Sequence, residues 1–133
     1  MLNNLEQIEA ALLARWPETR INPTLDRISL LSDYLGSPQL SYPTIHIAGT
    51  NGKTSTTRII DSLCQELGLR TGRFTSPHLE SILERISING SPITEATMIK
   101  TYLDIEPYLG LVDQKSSNPL SFFEVITALS FVA

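Results

Sequence analysis

Apolar positions recur along this chain mostly at helical spacing. Leu5, Ile8, Leu12, Leu13 and Trp16 form one stripe, with Asn4 placed to cap it and Pro17 to end it. A loop holding Asn22, Pro23 and Thr24 follows, and Leu25, Ile28, Leu31 and Leu35 then predict a second helix that stops at Gly36. After the connector Ser37–Pro43 the pattern changes. Thr44–Ala48 alternates little, which predicts a strand interior to a sheet, as parallel strands tend to be. Ile59, Ile60, Leu63, Cys64 and Leu67 then predict a helix closed by Gly68, and Arg70–Thr75 a short strand. Strand, helix and strand in that order predict a βαβ unit with a right-handed crossover.

Farther on, Arg85-Ile86-Ser87-Ile88 followed by Asn89-Gly90 predicts a strand and a hairpin turn. Thr94 can cap a helix bearing Ile99, Tyr102 and Leu103, and Gln114–Pro119 reads as a polar linker. Ser121-Phe122-Phe123-Glu124 opens a last helix with Val125, Ile126, Leu129 and Val132. That helix is still running at Ala133, and two or three strands are few for a doubly wound α/β domain. The chain therefore reads as the front part of a longer protein. Apolar surface around Val125, Ile126 and Leu129 is expected to lie uncovered, so that the chain alone would self-associate or swap elements.

The richest chemistry lies where the predicted strand runs into a helix, at Gly49-Thr50-Asn51-Gly52-Lys53-Thr54-Ser55. Two glycines let the backbone curl until several N–H groups converge. The helix adds its unpaired amides and its positive dipole end to the same place. Lys53 supplies a full charge, and Thr54 or Ser55 a hydroxyl for a magnesium ion. Such a loop suits the polyphosphate of a nucleotide. It is shorter than the general phosphate-loop template, whose first glycine would fall on Ile47. The bland reading is an Asn-Gly turn before a helix that happens to begin with lysine.

With 133 residues, 41% hydrophobic and 18% charged, the chain reads as one globular unit. A formal net charge of −4 argues against a nucleic-acid partner held by a basic field. No apolar run approaches the ~20 residues that span a bilayer, and the N-terminus does not read as a secretory signal. The single cysteine, Cys64, lies on an apolar stripe and reads as a core thiol. The compartment expected from these features is the cytoplasm, and no membrane partner is expected.

Ile45–Leu67, then Thr75-Ser76-Pro77-His78-Leu79 and Glu84-Arg85-Ile86, resembles the bifunctional dihydrofolate synthase/folylpolyglutamate synthase family of the Mur ligase superfamily. Leu25-Asp26-Arg27-Ile28 and Phe122-Phe123-Glu124 fit as well, so the likeness runs from about Arg15 onward. One departure is Thr54, where many members carry glycine and the peptidoglycan branch often carries threonine. The resemblance implies an α/β fold: a phosphate-loop, Mur-ligase-like, three-layer domain with a mostly parallel sheet, here truncated. Residues 1–133 would be the N-terminal portion of the ATP-binding domain, without the C-terminal glutamate-ligase domain.

It also implies an ATP- and Mg²⁺-dependent ligase that joins L-glutamate to dihydropteroate and to folates through an acyl phosphate. A carboxylate is a poor acyl donor until its oxygen becomes a good leaving group, so positive charge must gather on the phosphoryl group in transfer. Lys53 carries the catalytic expectation. Thr50, Asn51, Gly52, Lys53, Thr54 and Ser55 are the nucleotide residues, and Ser76 the metal ligand. Asn22, Pro23, Thr24, Ser121, Phe122, Phe123 and Glu124 are the substrate residues.

Each has an ordinary alternative. Ser76 before Pro77 can be a turn residue, Asn22-Pro23-Thr24 a loop and helix cap, and Ser121 with Glu124 a capping box. Phe122 and Phe123 are neighbours on a helix and cannot both face the core, which leaves one ring to stack on a pterin. His78 shares no ligand spacing with a second histidine or carboxylate and is not assigned to a metal. A peptidoglycan-precursor ligase and a nucleotide-binding module without ligase chemistry stay open as alternatives. The full-length protein is expected to be a monomer, and the chain alone to bind ATP weakly and to form no folylglutamate.

Overall fold

The computed structural model describes residues 2–17 and 24–133. Asn22 and Pro23 lie outside the described residues. The chain folds as two compact units, one from Met1–Tyr42 with Glu95–Ala133, the other from Pro43–Thr94.

The first unit is helical. Helix α1 spans Leu5–Leu13 and is capped by Asn4, whose side chain accepts from the Gln7 amide at 2.8 Å. Its inward stripe is Ile8 and Leu12, whereas Leu13 is exposed and Trp16 lies beyond the helix end. Helix α2 is Asp26–Tyr34, with Leu31 fully buried. Leu25, expected on its apolar face, precedes it and is exposed. A short 3-10 turn at Pro38–Leu40 then leads out of the unit.

In the second unit helix α3 is Lys53–Glu66, ended by Gly68 in the left-handed region. Strands β1 (Gly72–Phe74), β2 (Ile86–Ile88) and β3 (Ser91–Pro92) form a three-stranded sheet in sequence order. Both pairings are antiparallel, with Arg73 opposite Ser87 and Ser87 opposite Pro92. Asn89 and Gly90 both have positive φ (49° and 83°), the geometry of a tight hairpin turn that an Asn-Gly pair adopts cheaply.

The chain then returns to the helical unit as α4 (Glu95–Lys115) and α5 (Phe122–Val132). Helix α4 runs through Pro107, well beyond the segment that the sequence marks. Its buried stripe of Met98, Tyr102, Ile105, Leu109 and Val112 continues on one face past the proline and outweighs the lost amide bond. Helix α5 packs against α1, α2 and α4.

Three expectations are corrected. Thr44–Ala48 is not a strand: it is irregular, Ile45 is 64% exposed, and no strand lies beside it among the described residues. Without a neighbour to complete the ladder, apolar character does not make a strand. The α/β class stands, but the βαβ crossover and the mostly parallel sheet do not form within these residues, because the two reversals around β2 dictate antiparallel pairing. Val125, Ile126 and Leu129 are fully buried by the unit's own helices. Bare apolar surface lies instead along α3 and its C-cap, where Ile59, Leu63 and Leu67 are all exposed. No helix among the described residues is long and apolar enough to cross a membrane.

Candidate functional site

Helix α3 begins on Gly52, which sits at φ 73° in the left-handed region and provides no side chain to cap the helix. The first helical bond runs from the Thr56 amide to the Gly52 carbonyl, so the amides of Lys53, Thr54 and Ser55 have no partner inside the helix. Gly49, at φ 150°, bends the approach. A Cβ on either glycine would meet nothing within 4 Å, so the concave side of the loop is open. Thr50, Asn51, Gly52, Lys53, Thr54 and Ser55 are all exposed there, at the positive end of the helix dipole.

Ser76 is exposed two residues beyond β1, and the Ser76–Pro77 peptide is cis. The chain reverses at Gly68 and β1 runs back along α3. Thr71 Oγ1 donates to Asp61 Oδ1, and Arg73 Nη1 donates to Asp61 Oδ2 at 2.9 Å. The carboxyl end of β1 leads into Ser76, in the same unit as the start of α3. Asp61 is the one buried residue of α3, and it also accepts from Gln65 Nε2 at 3.0 Å. Arg73 in turn reaches Ser87 Oγ at 3.4 Å, which joins α3 to two strands through one polar network.

The loop after Ser76 is stitched by two neighbours on a short 3-10 turn, Ile82–Arg85. The Glu84 carboxylate accepts from the amides of Leu79 (3.0 Å), Glu80 (2.9 Å) and Ser81 (2.9 Å). The amides of Leu79, Ser81 and Glu80, in that order of weight, hold its pKa below the ordinary glutamate value, with a smaller contribution from His78. Arg85, buried, donates from Nε to His78 Nδ1 at 2.8 Å. That bond occupies one ring nitrogen of His78 as an acceptor. Among the described residues no group of three or more His, Cys, Asp or Glu is placed to hold a metal ion.

The substrate residues expected from the sequence lie in the helical unit. Thr24 Oγ1 accepts from the Asp26 amide at 3.1 Å, an ordinary start to α2. Ser121 and Glu124 form a reciprocal capping box on α5: the Glu124 amide donates to Ser121 Oγ at 3.1 Å, and the Ser121 amide to Glu124 Oε2 at 2.8 Å. Arg27 Nε donates to both carboxylate oxygens of Glu124, at 3.1 and 3.0 Å. Its guanidinium lies 5.1 Å from the centre of the Trp16 ring. Glu124 thus acts here as a structural acceptor. Phe122 is 6% exposed and Phe123 39%, so the adjacent rings divide between core and surface.

Sequence reasoning had assigned no role to Asp61, Arg73, Arg27, Glu84 or Arg85. A signal existed for Asp61, a carboxylate on a helix, 12 residues ahead of an arginine in the returning strand.

No family model matches the chain. The dihydrofolate synthase/folylpolyglutamate synthase of Mycobacterium tuberculosis is 56% identical over 98% of this chain and 28% of the relative's length. The solved Mycobacterium tuberculosis folylpolyglutamate synthase complexed with ADP superposes with a TM-score of 0.90 at 56% identity, covering 96% of this chain and 28% of that one. A folylpolyglutamate synthase complex with AMPPCP and folate gives a TM-score of 0.87 at 32% identity over 97% of this chain and 32% of its own. The chain thus spans less than a third of the length of these proteins.

Proposed function

Because the chain belongs to the dihydrofolate synthase/folylpolyglutamate synthase family over the stretch it spans, we propose that it is the N-terminal portion of the ATP-binding domain of such a ligase. The parent enzyme would add L-glutamate to dihydropteroate and to folates, as a cytoplasmic monomer. The observation that carries this reading is the uncapped start of α3. Three amides without an intrahelical partner, a lysine and two hydroxyls stand together at the first turn of α3, in the unit that also holds Ser76. The relatives crystallised with ADP and with AMPPCP and folate support the assignment.

The donor set fits the group it would hold. Backbone amides and a lysine suit phosphate oxygens. Hydroxyls of Thr54, Ser55 and Ser76 are hard oxygen donors of the kind Mg²⁺ accepts, along with phosphate oxygens and water. When bound, ATP supplies the phosphoryl group that turns the substrate carboxylate into an acyl donor. The residues of this chain do the electrostatic part. Lys53 and the loop amides would balance charge that grows on the transferring phosphoryl oxygens. Phe123 offers an aromatic face to the pterin, while Arg27 and the capping box fix the helix that carries it.

The test is Lys53→Ala in the full-length ligase, assayed for ADP release with dihydropteroate and glutamate. Loss of one charge-stabilising donor is expected to lower kcat by about 10²–10³. Wild-type turnover would refute the phosphate assignment.

A further inference from the structure

The segment from Thr75 to Arg85 is closed at its base, where the Thr75 amide donates to the Arg85 carbonyl at 2.9 Å. Loops of this kind are ordered by what fills them. Here the filling is a single side chain. Glu84 Oε1 accepts from Glu80 and Ser81, and Oε2 from Leu79, so three successive amides converge on one carboxylate. Successive amides that point one way usually form an anion-binding concavity, and this one is filled from within the chain. The next residue, Arg85, secures His78, so Glu84 and Arg85 between them fix His78 to Ser81. What precedes those residues is Ser76 and Pro77.

We propose that Glu84 is a positioning residue for the ligase reaction: by gathering the amides of Leu79, Glu80 and Ser81 it holds the loop that presents the Ser76 hydroxyl. This rests on the reading of Ser76 as a magnesium ligand. On this reading Glu84 acts through the loop, whose amides take up both of its carboxylate oxygens. Carboxylate chemistry is required, because both oxygens are in use as acceptors. An amide in its place would turn one of them into a donor facing an N–H.

The experiment compares Glu84→Gln and Ser76→Ala in the full-length ligase, with two readouts. The first is hydrogen exchange of the Leu79–Ser81 amides without ligand. The second is the Mg²⁺ concentration for half-maximal turnover at saturating ATP. Glu84→Gln keeps the side-chain size, and is expected to speed exchange at those amides and to raise the Mg²⁺ requirement about tenfold, as loss of a supporting contact around a metal ligand typically does. Unchanged exchange would overturn the clamp. Faster exchange with an unchanged Mg²⁺ requirement, while Ser76→Ala raises that requirement, would overturn the positioning role and leave the reading of Ser76 intact. If Ser76→Ala also leaves the requirement unchanged, the reading of Ser76 is what has failed.

Discussion

Arg27→Met tests a buried ion pair of the helical unit. The Arg27 side chain is 5% exposed and that of Glu124 13%, and the guanidinium Nε donates to both carboxylate oxygens. Removing one partner of a buried pair costs about 3–5 kcal/mol, because the other charge stays behind without compensation. Glu124 would keep the Ser121 amide, which argues for the lower end, about 3 kcal/mol. Loss of the cation over the Trp16 ring adds about 0.5–1 kcal/mol. Domains of this size are stable by only about 5–15 kcal/mol, so the shift is large. Trp16 is the single tryptophan, and urea unfolding followed by its fluorescence reads this unit directly. Far-UV circular dichroism provides a second probe that is indifferent to the ring's own contact. Adding Glu124→Gln removes the stranded charge while a glutamine can still complete the capping box. The double variant should therefore recover about 1–2 kcal/mol. A loss under about 1 kcal/mol for Arg27→Met, or a double variant no better than the single one, would show that the pair is not buried in the way described.

Phe122→Ala should destabilise by about 3–5 kcal/mol, as emptying a buried aromatic site does, whereas Phe123→Ala should stay near neutral in melting and, on the proposed function, weaken dihydropteroate binding by the full-length protein. Equal destabilisation by both, with pteroate affinity unchanged, would reduce the segment to packing. The folded-state pKa of Glu84 is depressed, so the order it brings to the 79–81 amides is fully present above the ordinary glutamate range, about pH 4, and is lost as pH falls through the lower folded value. Amide exchange at those three residues, corrected for intrinsic rates, should thus rise only in acid. A rise beginning near neutral pH would contradict the geometry.

What the sequence made legible was local. Asn89-Gly90 set a hairpin, Ser121 and Glu124 announced a capping box, and the glycine before Lys53 marked where α3 begins. Each is a contract between residues a few positions apart. The division of Phe122 from Phe123 was legible for the same reason. Partnerships between distant residues were not. Arg27 meets Glu124 across 97 positions, and Arg15 meets Asp113 across 98, and no local pattern encodes either. Thr44–Ala48 misled in the other direction, because its composition suits a buried strand while strand formation requires a neighbour. The candidate phosphate residues were readable by motif, whereas the groups that hold them, Asp61, Arg73 and Glu84, had to be seen in space.

Helix α3 turns the common arrangement inside out, with its one buried residue a carboxylate and its leucines in the open. Apolar contact tolerates sliding and rolling, since one methyl substitutes for another. Directional bonds do not, and two of them reach Asp61 from outside the helix, from Thr71 and Arg73, while Gln65 on the helix itself steadies the same carboxylate. The rotation of α3 about its own axis is therefore set like a key in a lock, and the amides at its first turn inherit that aim. Such an anchorage is stiff until it fails and then gives way at once, because a hydrogen bond drawn out by an ångström is lost rather than weakened. Loss of that single carboxylate would free the axis of the helix and leave the guanidinium of Arg73 without its counter-charge, while most of the surrounding packing stayed in place.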